Sequence, residues 1–149
     1  MEMNGEQLIP LAQQATWEAL NDTAVLKDCI PGCDTIEQQS DHEYLLTMTA
    51  RVGPVSAKFK GRMLLAEVEA PRAYTLQFEG QGGVAGFARG EARVELAPEG
   101  EATRLSYRVK ASIGGKLAQV GARLIDGVAR KMAEQFFIAL TRRVSPPEK

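Results

Sequence analysis

The feature that most constrains this chain is its last long stretch, GGKLAQVGARLIDGVARKMAEQFFIALTRR, from Gly114 to Arg143. Leu117, Val120, Leu124, Ile125, Val128 and Met132 recur there at spacings of three and four, the pattern of a helix with one apolar stripe. No proline interrupts it, and Ser145-Pro146-Pro147 ends it. At about 1.5 Å per residue the rod is roughly 45 Å long, longer than one domain of this size is wide. The rest of the chain must therefore wrap it. A chain of 149 residues suffices for one domain, 1–149, with a core that needs no metal or disulfide.

What wraps the rod is read from a change of period. Met1 to Ile9 alternates and stops at Pro10, a first strand. Ala12 to Leu20 predicts a short helix with Trp17 and Leu20 inward, and Asn21 or Asp22 caps a second running to about Cys29. Pro31-Gly32 breaks it, and Cys33 to Gln39 is a second strand closed by Ser40-Asp41-His42. From Glu43 to Ile113 the period is two, cut by turns at Gly53-Pro54, Pro71-Arg72, the glycines after Gly82, and Pro98-Glu99-Gly100. A slip at Leu64-Leu65 predicts a bulge that brings Ala66 and Val68 inward. The expected class is α+β: a seven-stranded curved antiparallel sheet around a long C-terminal helix, with two short helices after the first strand.

The inward positions decide whether helix and sheet close on each other. Tyr44, Phe59, Tyr74, Phe78, Leu96 and Leu105 are bulky and sit mostly nearer strand ends. Ala50, Ala57, Gly61, Gly80, Gly82, Ala88, Gly90, Ala92 and Ala111 are small and occupy the middle. A sheet furnished so sparsely leaves a cavity beneath a straight rod; the same glycines would also serve sheet bending alone. The expected lining is Leu46, Met48 and Ala50 from the third strand, and Ala57, Phe59 and Gly61 from the fourth. The fifth contributes Leu76, Phe78 and Gly80, the sixth Ala92, and the seventh Tyr107 and Val109. Leu117, Val120, Gly121, Leu124, Val128 and Met132 of the helix form the roof. Gly82, Gly83, Val84, Ala85 and Gly86 make a hairpin at the rim, either a gate or a plain glycine turn. Gly80 to Ala85 fits the text of a GxGxx(G/A) motif, but a strand follows instead of a helix, so no helix N-terminus is there to hold a pyrophosphate.

The chemistry available to such a cavity is thin. By alternation the Asp, Glu, Lys and Arg of the sheet face outward, and the single histidine, His42, sits in a turn. Tyr44, Tyr74 and Tyr107 read as core residues, so no acid, base or nucleophile set forms inward and an enzyme is not expected. Cys29 and Cys33 make neither a CxxC pair nor a zinc set, and reduced cytoplasmic thiols are expected. MEMNGEQLIP lacks a signal-peptide pattern, and no run is long enough to span a bilayer. The net charge of −1 gives no push toward nucleic acid. Lys58, Lys60 and Arg62 alternate beside strands bearing Glu79, Glu91 and Glu95, which predicts cross-strand ion pairs rather than a nucleic-acid platform. Along the helix, pairs of Asp126 with Arg130 and Arg130 with Glu134 predict a solvated face, with a docking strip as the alternative. Phe136-Phe137-Ile138-Ala139-Leu140 leaves the stripe, and Phe137 falls in line with Arg123 and Arg130. Phe137, Arg142 and Arg143 are therefore expected to be an exposed contact for a membrane or partner.

Four segments carry a resemblance to a known family. Cys29-Ile30-Pro31-Gly32-Cys33, the run from Val52 to Gly61, Gly80-Gln81-Gly82, and the run from Gly114 to Ile125 resemble signatures of the carbon monoxide dehydrogenase G-subunit family, within the START-like (SRPBCC) superfamily. The resemblance spans nearly the whole chain and implies the helix-grip fold. It implies a non-catalytic accessory protein of a CO dehydrogenase-type molybdenum hydroxylase, cytoplasmic and peripheral at the inner membrane face. The implied roles are recruiting the enzyme to the membrane and carrying a lipophilic small molecule, such as a quinone, with no covalent cofactor. Longer relatives continue past the closing helix, whereas VSPPEK follows it here, so transient docking through the helix end or the Gly82 to Gly86 rim is expected. Two other readings stay open: a protein-interaction accessory subunit without ligand, and a small-molecule cyclase or hydratase as in other helix-grip families.

Overall fold

Alternating residues separated by tight turns build most of the molecule. The computed structural model describes residues 1–145. β1 (Glu2–Ile9) is followed by α1 (Gln13–Leu20) and α2 (Thr23–Cys29). Then come β2 (Cys33–Ser40), β3 (Glu43–Val52), β4 (Val55–Glu69), β5 (Ala73–Gln81), β6 (Phe87–Glu99) and β7 (Ala102–Gly114), and last α3 (Ala122–Val144). The strands form one antiparallel sheet in the order β1-β7-β6-β5-β4-β3-β2. α2 begins where the Asp22 carboxylate accepts the Ala24 N–H at 2.9 Å, as a helix start requires.

The bulge in β4 lies later than the sequence slip suggests. Alternation runs unbroken through Leu65, which pairs with Leu76, and the extra residue enters between Ala66 and Glu69, with Glu67 at φ 48°. Val68 packs inward on the core as expected. Ala66 does not: it pairs with Thr75 on the outer face. A clamp from a distant strand explains the placement. The Arg93 guanidinium donates to the Glu67 carbonyl at 3.3 Å, the Thr75 hydroxyl at 3.2 Å and the Glu69 carboxylate at 2.8 Å.

The terminal rod is not one helix. Gly115–Val120 is a 3-10 segment, and the chain turns at Gly121, whose φ of 99° lies where only glycine is comfortable, before α3 starts. Its 23 residues make a helix about 34 Å long. The ion pairs expected within the helix give way, among the described residues, to one between Arg143 and Asp28 of α2 at 3.1 Å. On the sheet, Arg62 donates to Glu43 at 2.7 Å rather than pairing with Glu79, and Lys58 and Lys60 join no ion pair among the described residues.

Apolar packing divides into two clusters. The larger gathers Ile9, Leu20, Tyr74, Val94, Leu105 and Leu140 where α1, α2 and the end of α3 close over the sheet. Phe137 belongs to it, which corrects its expected exposure: the ring is 8% exposed and stacks on Tyr107 at 5.4 Å. With the α1–α2 side packed against the end of α3 as well as the sheet, more than one stripe of the helix is buried there. The smaller cluster, Phe59, Ala85 and Leu117 with Met48, Ala50, Val52, Val55, Ala57 and Ile113 packed around them, lies toward the β3–β4 turn.

Candidate functional site: a small-residue lane under the closing helix

Strand register places the inner residues in rows across the sheet. Leu46, Gly61, Gly80, Ala88 and Ile113 form one row. Tyr44, Met63, Phe78, Gly90 and Ala111 form the next, and Leu65, Leu76, Ala92, Val109 and Met3 a third. Their small members run as a lane over β4, β5, β6 and β7. Bulky rows bound it: Met48 opposite Phe59 on one side, and Tyr74, Val94 and Tyr107 on the other. These bounding rows belong to the two apolar clusters, so the lane lies between two packed ends.

The backbone of α3 comes nearest to α2, β1 and β3, and its Phe137 ring reaches Tyr107 of β7 at the packed end of the lane. Ile125, Val128 and Met132 of its stripe are only half-buried. A Cβ built on Gly80 would meet nothing within 4 Å. Apolar surface left uncovered in this way forgoes roughly 25 cal/mol per Å², which an apolar occupant would recover.

The expected lining sorts into floor, ends and roof. Leu46 and Ala92 are buried floor, with Gly61, Phe78, Gly80 and Val109 half-buried beside them. Met48, Ala50, Ala57, Phe59 and Leu117 form the end nearer the β3–β4 turn. Leu76 and Tyr107 pack on the larger cluster, and the Tyr107 ring lies across Gly5 of β1. Val128 and Met132 lie half-buried on α3, while Val120 belongs to the 3-10 segment and Gly121 to the break. Leu124 is displaced from the roof: it is 39% exposed and lies over Gly53. At the rim, Gly83–Ala85 is one 3-10 turn, and Gly82 sits against the Phe59 ring. Gly86 has φ 108°, and a Cβ there would strike the Gly114 carbonyl oxygen at 2.1 Å. Ala85 is buried beneath Leu117, whereas Val84 points out, 89% exposed. Arg142 is exposed and Arg143 is tied to Asp28. Sequence reasoning leaves Met63 out of the lining, although counting register rows through the hairpins sets it between Tyr44 and Phe78.

Polar chemistry stays at the margins. The Tyr44 hydroxyl donates to the Asn21 carbonyl at 3.2 Å, and burial, reinforced by Asp22, pushes its pKa up. Tyr74 is raised further by complete burial, with its ring edge-on to Trp17 at 5.3 Å. Burial also raises the Cys29 and Cys33 thiols, helped by Asp28 and Asp34 respectively, so neither is a poised thiolate. Among the described residues no group of His, Cys, Asp and Glu gathers as a metal set, and no helix is long and apolar enough to cross a membrane. The arrangement offers shape and apolar surface.

Comparison with known proteins agrees with this geometry. No curated protein matches the chain in sequence. Its structure is similar to that of a conserved protein from Geobacillus kaustophilus, 28% identical, over 96% of this chain and 94% of that one, with a TM-score of 0.89. It is also similar to a START superfamily protein from Mycobacterium smegmatis, 13% identical, over 96% of both chains, TM-score 0.72. The Zhui aromatase/cyclase from Streptomyces sp. R1128 is 11% identical over 96% of this chain and 92% of that one, TM-score 0.69. These last two likenesses establish the START-like fold alone. The family model for the carbon monoxide dehydrogenase G-subunit, CoxG, matches residues 5–145. The chain therefore belongs to the CoxG family, the carbon monoxide dehydrogenase G-subunits.

Proposed function

We propose that the protein is a non-catalytic carrier that holds a lipophilic small molecule, such as a quinone, in the lane between sheet and α3. It serves a CO dehydrogenase-type molybdenum hydroxylase as an accessory, working in the cytoplasm and at the inner face of the membrane. The observation that supports this reading is the lane of small residues: a Cβ on Gly80 would meet nothing within 4 Å, and Ile125, Val128 and Met132 of α3 stay half-buried. Two residues of strand advance about 6.7 Å, so three rows span about 13 Å between their centres, the length of a ring system with a short prenyl tail. The outward placement of the sheet's charges, and tyrosines that pair with backbone or ring neighbours rather than with one another's polar groups, favour carriage over catalysis.

The test is native mass spectrometry of the purified protein after exposure to a short-chain quinone in detergent. A one-to-one adduct is expected. Spectra that show only the empty mass across a range of quinones and acyl lipids would sink the proposal. Co-purification with a molybdenum hydroxylase tests the accessory role separately.

A further inference from the structure

From β3 to β7 the rows of the lane, and the bulky row that bounds them toward α1 and α2, carry almost nothing polar inward. Their hydrogen-bonding side chains are the phenols of Tyr44, Tyr74 and Tyr107. The Tyr44 hydroxyl is spent on the Asn21 carbonyl at 3.2 Å. The Tyr107 hydroxyl lies against Gly5 of the edge strand β1, 2.6 Å from where a Cβ would stand. Tyr74 differs from both. Every wholly enclosed side-chain nitrogen or oxygen has a partner among the described residues. The Tyr74 hydroxyl has none there, in a side chain only 6% exposed, so its oxygen opens on space that the protein leaves unfilled.

Its neighbours place that oxygen at one end of the lane. The Asn21 amide donates to the Trp17 carbonyl at 2.8 Å, and the Trp17 ring stands edge-on to Tyr74 at 5.3 Å. Tyr44, which belongs to a row of the lane, reaches the same link between α1 and α2. The two phenols therefore converge beneath that link, close enough for Tyr44 to add to the effect of burial in holding Tyr74 protonated. Tyr74 is thus a donor without an acceptor, set where an apolar lane meets its packed end.

A buried hydroxyl left unpaired costs free energy, and an acceptor carried by the occupant recovers it. A hydrocarbon leaves the group unpaired, whereas a ring carbonyl accepts from it. We propose that the Tyr74 hydroxyl selects and orients the occupant by donating to a carbonyl on its ring. The head then lies beneath the α1–α2 link, and the apolar remainder runs past Gly80 toward the end closed by Phe59 and Leu117. The assignment rests on the carrier reading for there being an occupant. It adds the class taken: lipophiles with a carbonyl-bearing ring, in preference to hydrocarbons of the same shape.

Equilibrium dialysis of wild type and Tyr74→Phe against two probes of one shape tests it. One is a dimethylnaphthoquinone, substituted so that it does not add to thiols; the other is the matching dimethylnaphthalene, which lacks the carbonyls. Tyr74→Phe removes one oxygen and keeps the ring that Trp17 abuts. It should weaken the quinone by about tenfold and leave the hydrocarbon within about twofold. The empty variant should melt no lower than the wild type, because the hydroxyl has no partner to lose. A lower melting temperature would show the hydroxyl bonded within the fold and overturn the proposal. An equal loss for both probes, no loss for either, or wild-type uptake of the hydrocarbon alone would overturn it and leave carriage standing. Uptake of neither probe by the wild type would remove the carrier reading and this assignment together.

Discussion

At Phe137 the ring is pinned from two sides, stacked on Tyr107 at 5.4 Å and edge-on to Phe136 at 5.2 Å. Phe137→Ala should therefore cost about 3–5 kcal/mol, read as a lower urea midpoint, and an unchanged midpoint would show the ring to be idle. A helical wheel puts Phe137 on the cationic side because spacing describes one neighbour only. The second neighbour, the α1–α2 pair, arrives from far earlier in the chain and leaves no mark in the local pattern. Titrating residues give a second prediction. Burial first, and nearby carboxylates second, raise the Cys29, Cys33 and Tyr44 pKa values, and burial raises Tyr74. The unfolded chain thus releases these protons at lower pH than the folded one. Their stabilisation is complete below the ordinary thiol and phenol values of 9.0 and 10.0 and is lost as pH rises through and beyond them. Melting temperatures should decline above about pH 9, and a flat profile to about pH 11 would contradict the assignment.

Among elements, the strands are the most legible part, because a period of two survives any long-range contact that leaves the sheet intact. The bulge falls later than the local pattern indicates, since Arg93 on β6 decides where β4 kinks and no residue near Leu64 records it. The closing helix is legible in its stripe but not in its continuity: a three-and-four spacing runs through Gly121, while the backbone there turns at φ 99°. That break divides the terminal stretch into a 3-10 latch, a loosely covered first half of α3, and a second half embedded in the larger cluster. Hydrogen exchange should follow this division, with amides of residues 115–132 exchanging faster than those of 136–144 in the empty protein. A bound apolar occupant should slow the first set most. Uniform protection along α3 would mean that the roof is held as firmly as the helix end.

For the whole molecule, the sequence shows an imbalance, small residues on four adjacent strands facing an apolar rod, and the structure turns that imbalance into a lane with two packed ends. Which residues close each end depends on register and on where the rod breaks, so Leu117 and Phe59 form an end and Leu124 leaves the roof. Carriage requires above all that the lane take a lipophilic occupant, and Gly80 is where an added Cβ meets no neighbour within 4 Å. Quinone titration of wild type and Gly80→Leu, with thermal melts of both, reads that occupancy. One-to-one binding is expected for the wild type, with affinity weaker by about tenfold or more, near 1.4 kcal/mol, in a Gly80→Leu protein that melts no lower. Equal affinity in the two proteins, or no uptake by the wild type, would mean that the lane is not where the ligand sits.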